Sequence, residues 1–224
     1  MFSGLKKFET LIPVHAPESL AELSEDLRIY SDRTIEVWYA PLGESTYKPK
    51  LWILGITPGW NQMRIAYKAA ADALSCGLTP AEAVASKKPQ VAFAGSMRAN
   101  LITMLDELGF AEIFDVQTSA NLFGTEHIRT GSVLRYPVFK NQSNYTGSAP
   151  KPTQHPVLVE MLDIILANEL QSVGRCLILP LGKAVENALE YSAAKGRVDL
   201  SHVLLGFPHP SGANGHRMRQ FNDR

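Results

Sequence analysis

Short apolar runs that lead through a Gly/Pro-containing turn into a helical pattern constrain this chain most. Residues 51–56 read LWILGI and run through Thr-Pro-Gly into a helical pattern over 62–75. Residues 176–182 read CLILPLG and lead likewise into a helical pattern over 183–191. Continuous apolar runs of this length are typical of strands buried on both faces. Their alternation with helices predicts a largely parallel sheet.

The remaining patterns complete the predicted fold, a three-layer α/β/α sandwich around a central, mainly parallel four-stranded sheet. Further apolar runs predict strands at 34–40, 114–123 and 202–207. Apolar spacing and capping boxes predict helices at 19–31, from 79 onward, at 96–108 and at 157–169. We expect one domain over residues 1–224, with residues 1–45 as an N-terminal extension that packs on it.

Residues 124–156 are polar and rich in Gly, Pro, Ser and Asn, and we expect a long loop insertion there. Tyr136 and Tyr145 alternate with basic residues in it, a pattern that suits stacking on bases beside phosphates. The segment is therefore interpreted as a lid or a DNA-contacting loop, with a solvated loop as the alternative.

The composition excludes several classes of protein. Hydrophobic residues make up 45% and charged residues 20%, as in ordinary globular domains. The two cysteines, Cys76 and Cys176, predict neither a disulfide framework nor a metal cluster. No apolar run reaches the length of a membrane helix and no signal peptide is visible. We expect a cytoplasmic monomer that needs no cofactor and no metal.

The charge pattern is uneven although the formal net charge is zero. Asp and Glu are absent from four long stretches, which hold 13 of the 22 basic residues: 45–71, 83–105, 127–159 and 200–222. If these stretches converge in the fold, they form a basic face suited to a polyanion. Chance clustering is the alternative.

Two of the turns that follow predicted strands carry candidate chemistry, since ligands of open α/β sheets bind at the carboxyl ends of the strands. Residues 55–59, GITPG, let the backbone approach a ligand and expose N–H groups, or simply form a tight turn. In residues 209–212, HPSG, a histidine can donate to a developing oxyanion, or it can be structural.

Four motifs together resemble the uracil-DNA glycosylase superfamily in their order. They are GxTPGW at 55–60, VAFAGSMRANLITMLDELGF at 91–110, Asn121, and HPSGAN at 209–214. The segment LILPLGKAVENAL at 177–189 is also similar to that superfamily's late strand, Leu-Gly-Lys turn and helix. The resemblance covers most of the chain and implies an enzyme that excises uracil or another deaminated base from DNA.

The resemblance assigns roles to individual residues. His209 would stabilise the charge that grows on the leaving base. Phe93 would stack on the flipped base and Asn121 would read its edge, whereas Trp60 and Ile56 would shape the pocket wall. The alternatives are that Phe93 and Trp60 belong to the core and that Asn121 caps a turn. The predicted phosphate-binding residues are Gly59, Lys183, Ser211, Gly212 and Arg217.

Three departures qualify the resemblance. Relatives mostly carry Asp or Asn where Thr57 stands, and a Thr hydroxyl can position water but cannot act as a general base near neutral pH. The iron–sulfur branch of the superfamily needs four cysteines, and this chain has two, so no cluster is expected. A bulky wedge after the HPS motif is replaced by Gly212, Ala213 and Asn214. Two rivals therefore stay open: a nucleic-acid or base-binding protein of the same fold that is weakly active or inactive, and a nucleotide or nucleoside hydrolase.

Overall fold

The computed structural model describes residues 2, 5–43, 47–85, 93 and 96–211. Seven strands are present in these ranges: β1 Arg28–Ser31, β2 Glu36–Trp38, β3 Leu51–Gly55, β4 Ile128–Ser132, β5 Val138–Lys140, β6 Ser143–Asn144 and β7 Leu177–Pro180. They form two sheets, a parallel sheet in the order β4-β3-β7 and an antiparallel sheet in the order β1-β2-β5-β6.

Seven α-helices accompany the strands in the described ranges: α1 Trp60–Ser75, α2 Pro80–Ala85, α3 Ser96–Glu107, α4 Phe110–Ile113, α5 Pro156–Glu160, α6 Ala167–Val173 and α7 Lys183–Ala194. A π-helical segment, Met161–Leu166, joins α5 to α6. The capping box predicted at Thr79 and Glu82 opens α2, with hydrogen bonds from Thr79 N and Oγ1 to the Glu82 carboxylate. In the described part of the chain, no helix is both long and apolar enough to cross a bilayer.

Helices pack on both faces of the parallel sheet, so the predicted mixed α/β class is confirmed. Trp52 and Leu54 of β3 are buried on one face, in an apolar cluster shared with α5, α6 and α7. Leu51 and Ile53 are buried on the other face, in a cluster shared with α3. Because successive side chains of a strand point to opposite faces, the continuous apolar run of β3 fills both cores.

The prediction of four parallel strands is wrong in its details. Among the described residues the parallel sheet has three strands, and the predicted strand at 202–207 contributes a single parallel bridge between Val203 and Ile178. Residues 200–202 form a 3-10 turn instead, in which Asp199 accepts a hydrogen bond from Ser201 N. This local cap holds the chain out of the extended conformation until Val203.

The predicted strand at 114–123 is also absent. Its residues form turns and a 3-10 helix, Ser119–Leu122, because Asp106 accepts hydrogen bonds from Thr118 Oγ1 and Ser119 N and bends the chain. The third parallel strand is β4, inside the segment that was predicted to be a loop. The same segment supplies β5 and β6 to the antiparallel sheet.

The predicted helix at 19–31 is replaced by two 3-10 turns and strand β1. The predicted capping box does not form, because Ser19 Oγ donates to Glu22 Oε1 at 3.2 Å and makes no hydrogen bond to the backbone of the turn. Ser24, however, accepts a hydrogen bond from Asp26 N and starts a second turn, which ends the first one. Strands β1 and β2 thus bring part of the predicted N-terminal extension into the antiparallel sheet.

A buried ion network explains how the polar strand β4 can belong to the parallel sheet. Arg129 is 5% exposed, and its Nη2 lies 3.3 Å from Glu169 Oε2. Arg135 Nη1 lies 3.2 Å from Glu169 Oε1. The Nη2 of the same guanidinium donates to the carbonyl oxygens of Leu42 and Gly43. The shared carboxylate thereby joins β4, α6 and the chain after β2.

Gly147 marks the closest approach between the segment that follows β6 and the parallel sheet. Its φ is +81°, and a Cβ there would lie 2.6 Å from Ala184 Cβ and 2.9 Å from Ile56 Cγ1. Both distances are far below van der Waals contact, so only glycine permits this packing.

We predict that Gly147→Ala destabilises the protein clearly more than Gly196→Ala. Gly196 has a similar φ of +70° but open space around it, so its change costs about 1–2 kcal/mol of backbone strain. Gly147→Ala adds overpacking of about 1–3 kcal/mol. Thermal unfolding followed by circular dichroism measures both, and equal losses would contradict the close packing.

Candidate functional site

Two glycines at the carboxyl ends of neighbouring strands each lie against a predicted site residue. A Cβ on Gly55, the last residue of β3, would lie 3.4 Å from the Phe93 ring. A Cβ on Gly182, two residues after β7, would lie 3.2 Å from His209 Cβ. Adjacent strands are about 4.8 Å apart, so the Phe93 and His209 side chains lie at one edge of the sheet. We call this place, defined by Gly55, Phe93, Gly182 and His209, the carboxyl edge.

All four acid-free stretches meet around the carboxyl edge. Phe93, from 83–105, packs on Gly55, from 45–71. Thr57 of the same turn donates a hydrogen bond to the Tyr136 carbonyl, from 127–159. The fourth stretch, 200–222, joins through Asn100 Nδ2, which donates to the Pro210 carbonyl at 2.9 Å. The convergence leaves this edge poor in carboxylates and therefore compatible with an anionic ligand.

His209 is held as a neutral ring with a defined tautomer. Its Nδ1 accepts a hydrogen bond from Ser211 N at 3.2 Å, so the proton of the neutral ring is on Nε2. Burial lowers the pKa of His209 below its usual value of 6.5, which favours the neutral form further. The Asn100 bond to Pro210 fixes the loop that carries the ring. The arrangement offers a donor, Nε2–H, which has no partner among the described residues.

Thr57 is committed to the junction between the two sheets. Its Oγ1 donates to the Tyr136 carbonyl at 2.9 Å and accepts from Val138 N at 3.1 Å. The hydroxyl proton is therefore used, and one acceptor lone pair remains. This geometry gives the residue a structural role and leaves it little capacity to activate water.

The first turn of α1 is occupied by side chains of the protein itself. Gly59 N donates to Gln62 Oε1 at 2.7 Å, and Trp60 N donates to Asn144 Oδ1 at 2.8 Å. These backbone groups are the ones that the predicted phosphate contact at Gly59 requires. The Trp60 side chain packs partly buried against the cluster of α1 and the antiparallel sheet, rather than at Phe93.

The other residues predicted to bind phosphate are Lys183, Ser211, Gly212 and Arg217. Lys183 is exposed but its Nζ lies 3.1 Å from Glu186 and 3.3 Å from Glu190, and these carboxylates raise its pKa. Ser211 lies next to the His209 ring through its backbone N–H. Gly212 and Arg217 lie outside the described residues.

Ile56, which was predicted to shape the pocket wall, packs its side chain against Gly147.

Asn121 does not join Phe93 and His209. It is exposed, in the 3-10 turn that precedes β4. The neighbouring Ser119 bonds to Asp106 near the end of α3, whereas Pro210 bonds to Asn100 near its start. Six helical residues span about 9 Å, so the two contacts lie at different levels of the helix. Phe123, two residues further on, lies under Arg98 near the start of α3, and Leu122 shares a buried cluster with Phe93. The base-reading role of Asn121 therefore stays a prediction.

Three residues of this edge escaped the sequence reasoning. Ser132 is the last residue of β4 and the register partner of Gly55. Asn100 fixes the His209 loop and Asn144 covers the start of α1. The signal for Ser132 was weak because β4 is short and polar. Asn100 stands within the motif at 91–110, but the sequence does not show that its side chain donates to the Pro210 carbonyl.

A comparison with known proteins gives one clear result. The chain is 41% identical over 227 residues to YoxB, an uncharacterized protein of Bacillus subtilis (strain 168), and the match covers 98% of this chain and 88% of YoxB. The chain belongs to the YoxB family. No family model and no solved structure matches it. Membership of the YoxB family identifies relatives without naming a reaction, so the function has to be argued from the carboxyl edge.

For this YoxB-family chain we predict that Thr57→Val destabilises and Thr57→Ser does not. Valine leaves Val138 N and the Tyr136 carbonyl without their partner, at about 1–3 kcal/mol. Serine keeps both hydrogen bonds. Denaturant unfolding compares the two variants, and a valine variant as stable as the serine variant would contradict the structural role.

Proposed function

We propose that the protein is a slow DNA glycosylase that excises uracil or another deaminated base, as its resemblance to the uracil-DNA glycosylase superfamily implies. The observation that carries the proposal is the neutral His209, whose Nδ1 is occupied by Ser211 N and whose Nε2–H is unpartnered among the described residues. A fixed donor of this kind stabilises an anion as it forms, without transferring its proton.

The reaction follows from this single donor. The bond between the sugar C1′ and the base nitrogen breaks, and its electron pair leaves with the base. The oxygen of the departing base accepts a hydrogen bond from His209 Nε2. Water adds to the cationic sugar and releases a proton to the solvent, and the anionic base takes up a proton from the solvent, which gives a free base and an abasic site.

Phe93 supplies the face on which the base would stack. Phe93 is 4% exposed and packs in the apolar cluster shared with α3, as the core alternative expected, and its ring also lies against Gly55. Its φ is +58°, a left-handed conformation that costs a non-glycine residue about 1–2 kcal/mol. Strain of this kind is concentrated at functional sites, which supports a role for Phe93 beyond filling the core.

DNA suits the charge distribution better than a neutral ligand does. The acid-free stretches converge where a phosphate backbone would pass. The acid closest in sequence to Gly182 is Glu186, which is engaged with Lys183 and with Gly206 N. Because the net charge of the chain is zero, the affinity for DNA should be modest and should decline with salt.

The reaction lacks a general base, so it should be slow. Help from a general base is worth about 10²–10⁴-fold in rate. Thr57 stands where relatives of the superfamily mostly carry Asp or Asn, and its proton is donated to Tyr136. This observation also favours the second candidate, a protein that binds a base in nucleic acid and does not cleave it.

We predict that His209→Ala abolishes strand cleavage and leaves DNA affinity nearly unchanged. Labelled oligonucleotides that carry uracil, hypoxanthine or xanthine, single-stranded and opposite each normal base, are incubated with protein and then treated with alkali. The loss follows from removal of the donor at the leaving base.

His15→Ala is the matched control, because His15 is exposed and remote in sequence from this edge. If the wild-type protein leaves every oligonucleotide intact even at excess, the glycosylase proposal fails. Binding that depends on the damaged base would then support the second candidate.

We predict that cleavage is constant from pH 8 to about pH 6.5 and falls at lower pH. Burial lowers the pKa of His209, so the ring stays neutral until the pH drops through that lowered value, and only the neutral ring has the described tautomer. The unfolded chain takes up the proton near pH 6.5, so stability also declines below that pH. A rate that rises as the pH falls would indicate a cationic histidine and contradict the mechanism.

A further inference from the structure

Ser132 is a polar residue of the carboxyl edge that no motif had identified. It ends β4 and pairs in register with Gly55 of β3. Its neighbour Gly131 faces Trp52 and Leu54, because a Cβ there would lie 3.0 Å from Trp52 Nε1 and 3.5 Å from Leu54 Cδ2. Side chains alternate along a strand, so Ser132 faces the opposite side, which is the side of Gly55 and Phe93.

The Ser132 side chain is available to a ligand. It is half-buried, and its hydroxyl makes no hydrogen bond to any residue in the described ranges. The nearby Thr57 hydroxyl, by contrast, is engaged with Tyr136 and Val138. Ser132 faces the side on which Phe93 packs, whereas Asn121 is exposed in the 3-10 turn Ser119–Leu122.

We infer that Ser132 reads the edge of the base and accepts carbonyl and amino edges alike. The inference rests on the proposed function and names the substrate class of the same site. A hydroxyl rotates, so it donates to a carbonyl oxygen or accepts from an amino group. A fixed amide side chain presents a donor and an acceptor in set positions and rejects the wrong pattern.

Selection among bases then occurs in the bond-breaking step. Uracil, hypoxanthine and xanthine carry carbonyl groups where their parent bases carry amino groups, and carbonyl oxygens spread the negative charge of the departing base. His209 stabilises that charge only as it develops. The substrate class is therefore deaminated bases in general, bound no more tightly than normal bases but released faster.

Binding of oligonucleotides that resist cleavage tests this assignment. Labelled single strands with one 2′-fluoroarabino uracil, one 2′-fluoroarabino cytosine or one tetrahydrofuran abasic analogue are titrated with protein by fluorescence anisotropy. The variants are Ser132→Ala, Ser132→Asn and Asn121→Ala. Ser31→Ala is the matched control, because Ser31 is an exposed serine that ends β1. Circular dichroism melting establishes that each variant is folded.

The wild type is expected to bind the uracil and cytosine strands within about threefold of each other, and both more tightly than the abasic strand. Ser132→Ala should weaken both by about fivefold, the equivalent of one hydrogen bond of about 1 kcal/mol. Ser132→Asn should separate the two bases by about tenfold. Asn121→Ala and Ser31→Ala should change neither affinity.

Wild-type affinities that differ by more than tenfold between uracil and cytosine, or a Ser132→Ala variant without effect, would overturn the inference. Base-dependent binding that responds to Ser132 in a protein without cleavage activity supports the inference and contradicts only the glycosylase reaction. If neither the wild type nor any variant binds the uracil and cytosine strands more tightly than the abasic strand, both the inference and the proposed function are overturned.

Discussion

The junction between the parallel and antiparallel sheets fixes the turn that follows β3 at the carboxyl edge. Thr57 Oγ1 joins the turn after β3 to the start of β5 through two backbone hydrogen bonds. Gly147 brings the chain after β6 into contact with Ile56 and Ala184. The Thr57 hydroxyl supplies the hydrogen bonds, and the lack of a side chain at Gly147 permits the close approach. Together with the backbone hydrogen bonds from Val133 N to Gly55 and from Leu134 N to Ile56, this junction holds the segment after β4 beside the site.

The ion network of Arg129, Glu169 and Arg135 has a cost as well as a benefit. The Arg129 guanidinium lies 4.5 Å above the Trp52 ring, an arrangement that returns part of its lost hydration. Arg129 Nη1 and Trp52 Nε1 nevertheless have no hydrogen-bond partner in the described part of the chain. Buried ion pairs of this kind often specify an arrangement more than they stabilise it. Here they fix β4 beside β3 and thereby place Ser132 beside Gly55.

The sequence predicted best the elements whose apolar pattern is strong. β3, β7, α1, α3 and α7 follow the runs and capping signals that were read from it. β4 was missed because its burial depends on Glu169, which is 40 residues away from Arg129 in sequence. The 114–123 segment was misassigned because two hydrogen bonds to Asp106 overrode its strand-like composition. Tertiary contacts decided both cases, and local propensity contains no information about them.

The same limit applies to the site. His209 was predicted from its turn and from the resemblance, and Phe93 from the resemblance alone; in the fold each lies against a glycine at the end of a parallel strand. Asn121 was predicted at the end of a strand that is absent, and its base-reading role stays a prediction. The strand that does form next to β3 is β4, and it ends in the small hydroxyl side chain of Ser132 rather than in the amide of Asn121. A site with a rotating hydroxyl, a neutral imidazole and no general base can hold many bases but can release only those that leave readily as anions. Under the proposed function, low catalytic power and broad recognition would have a common origin in the side chains at the ends of β3 and β4.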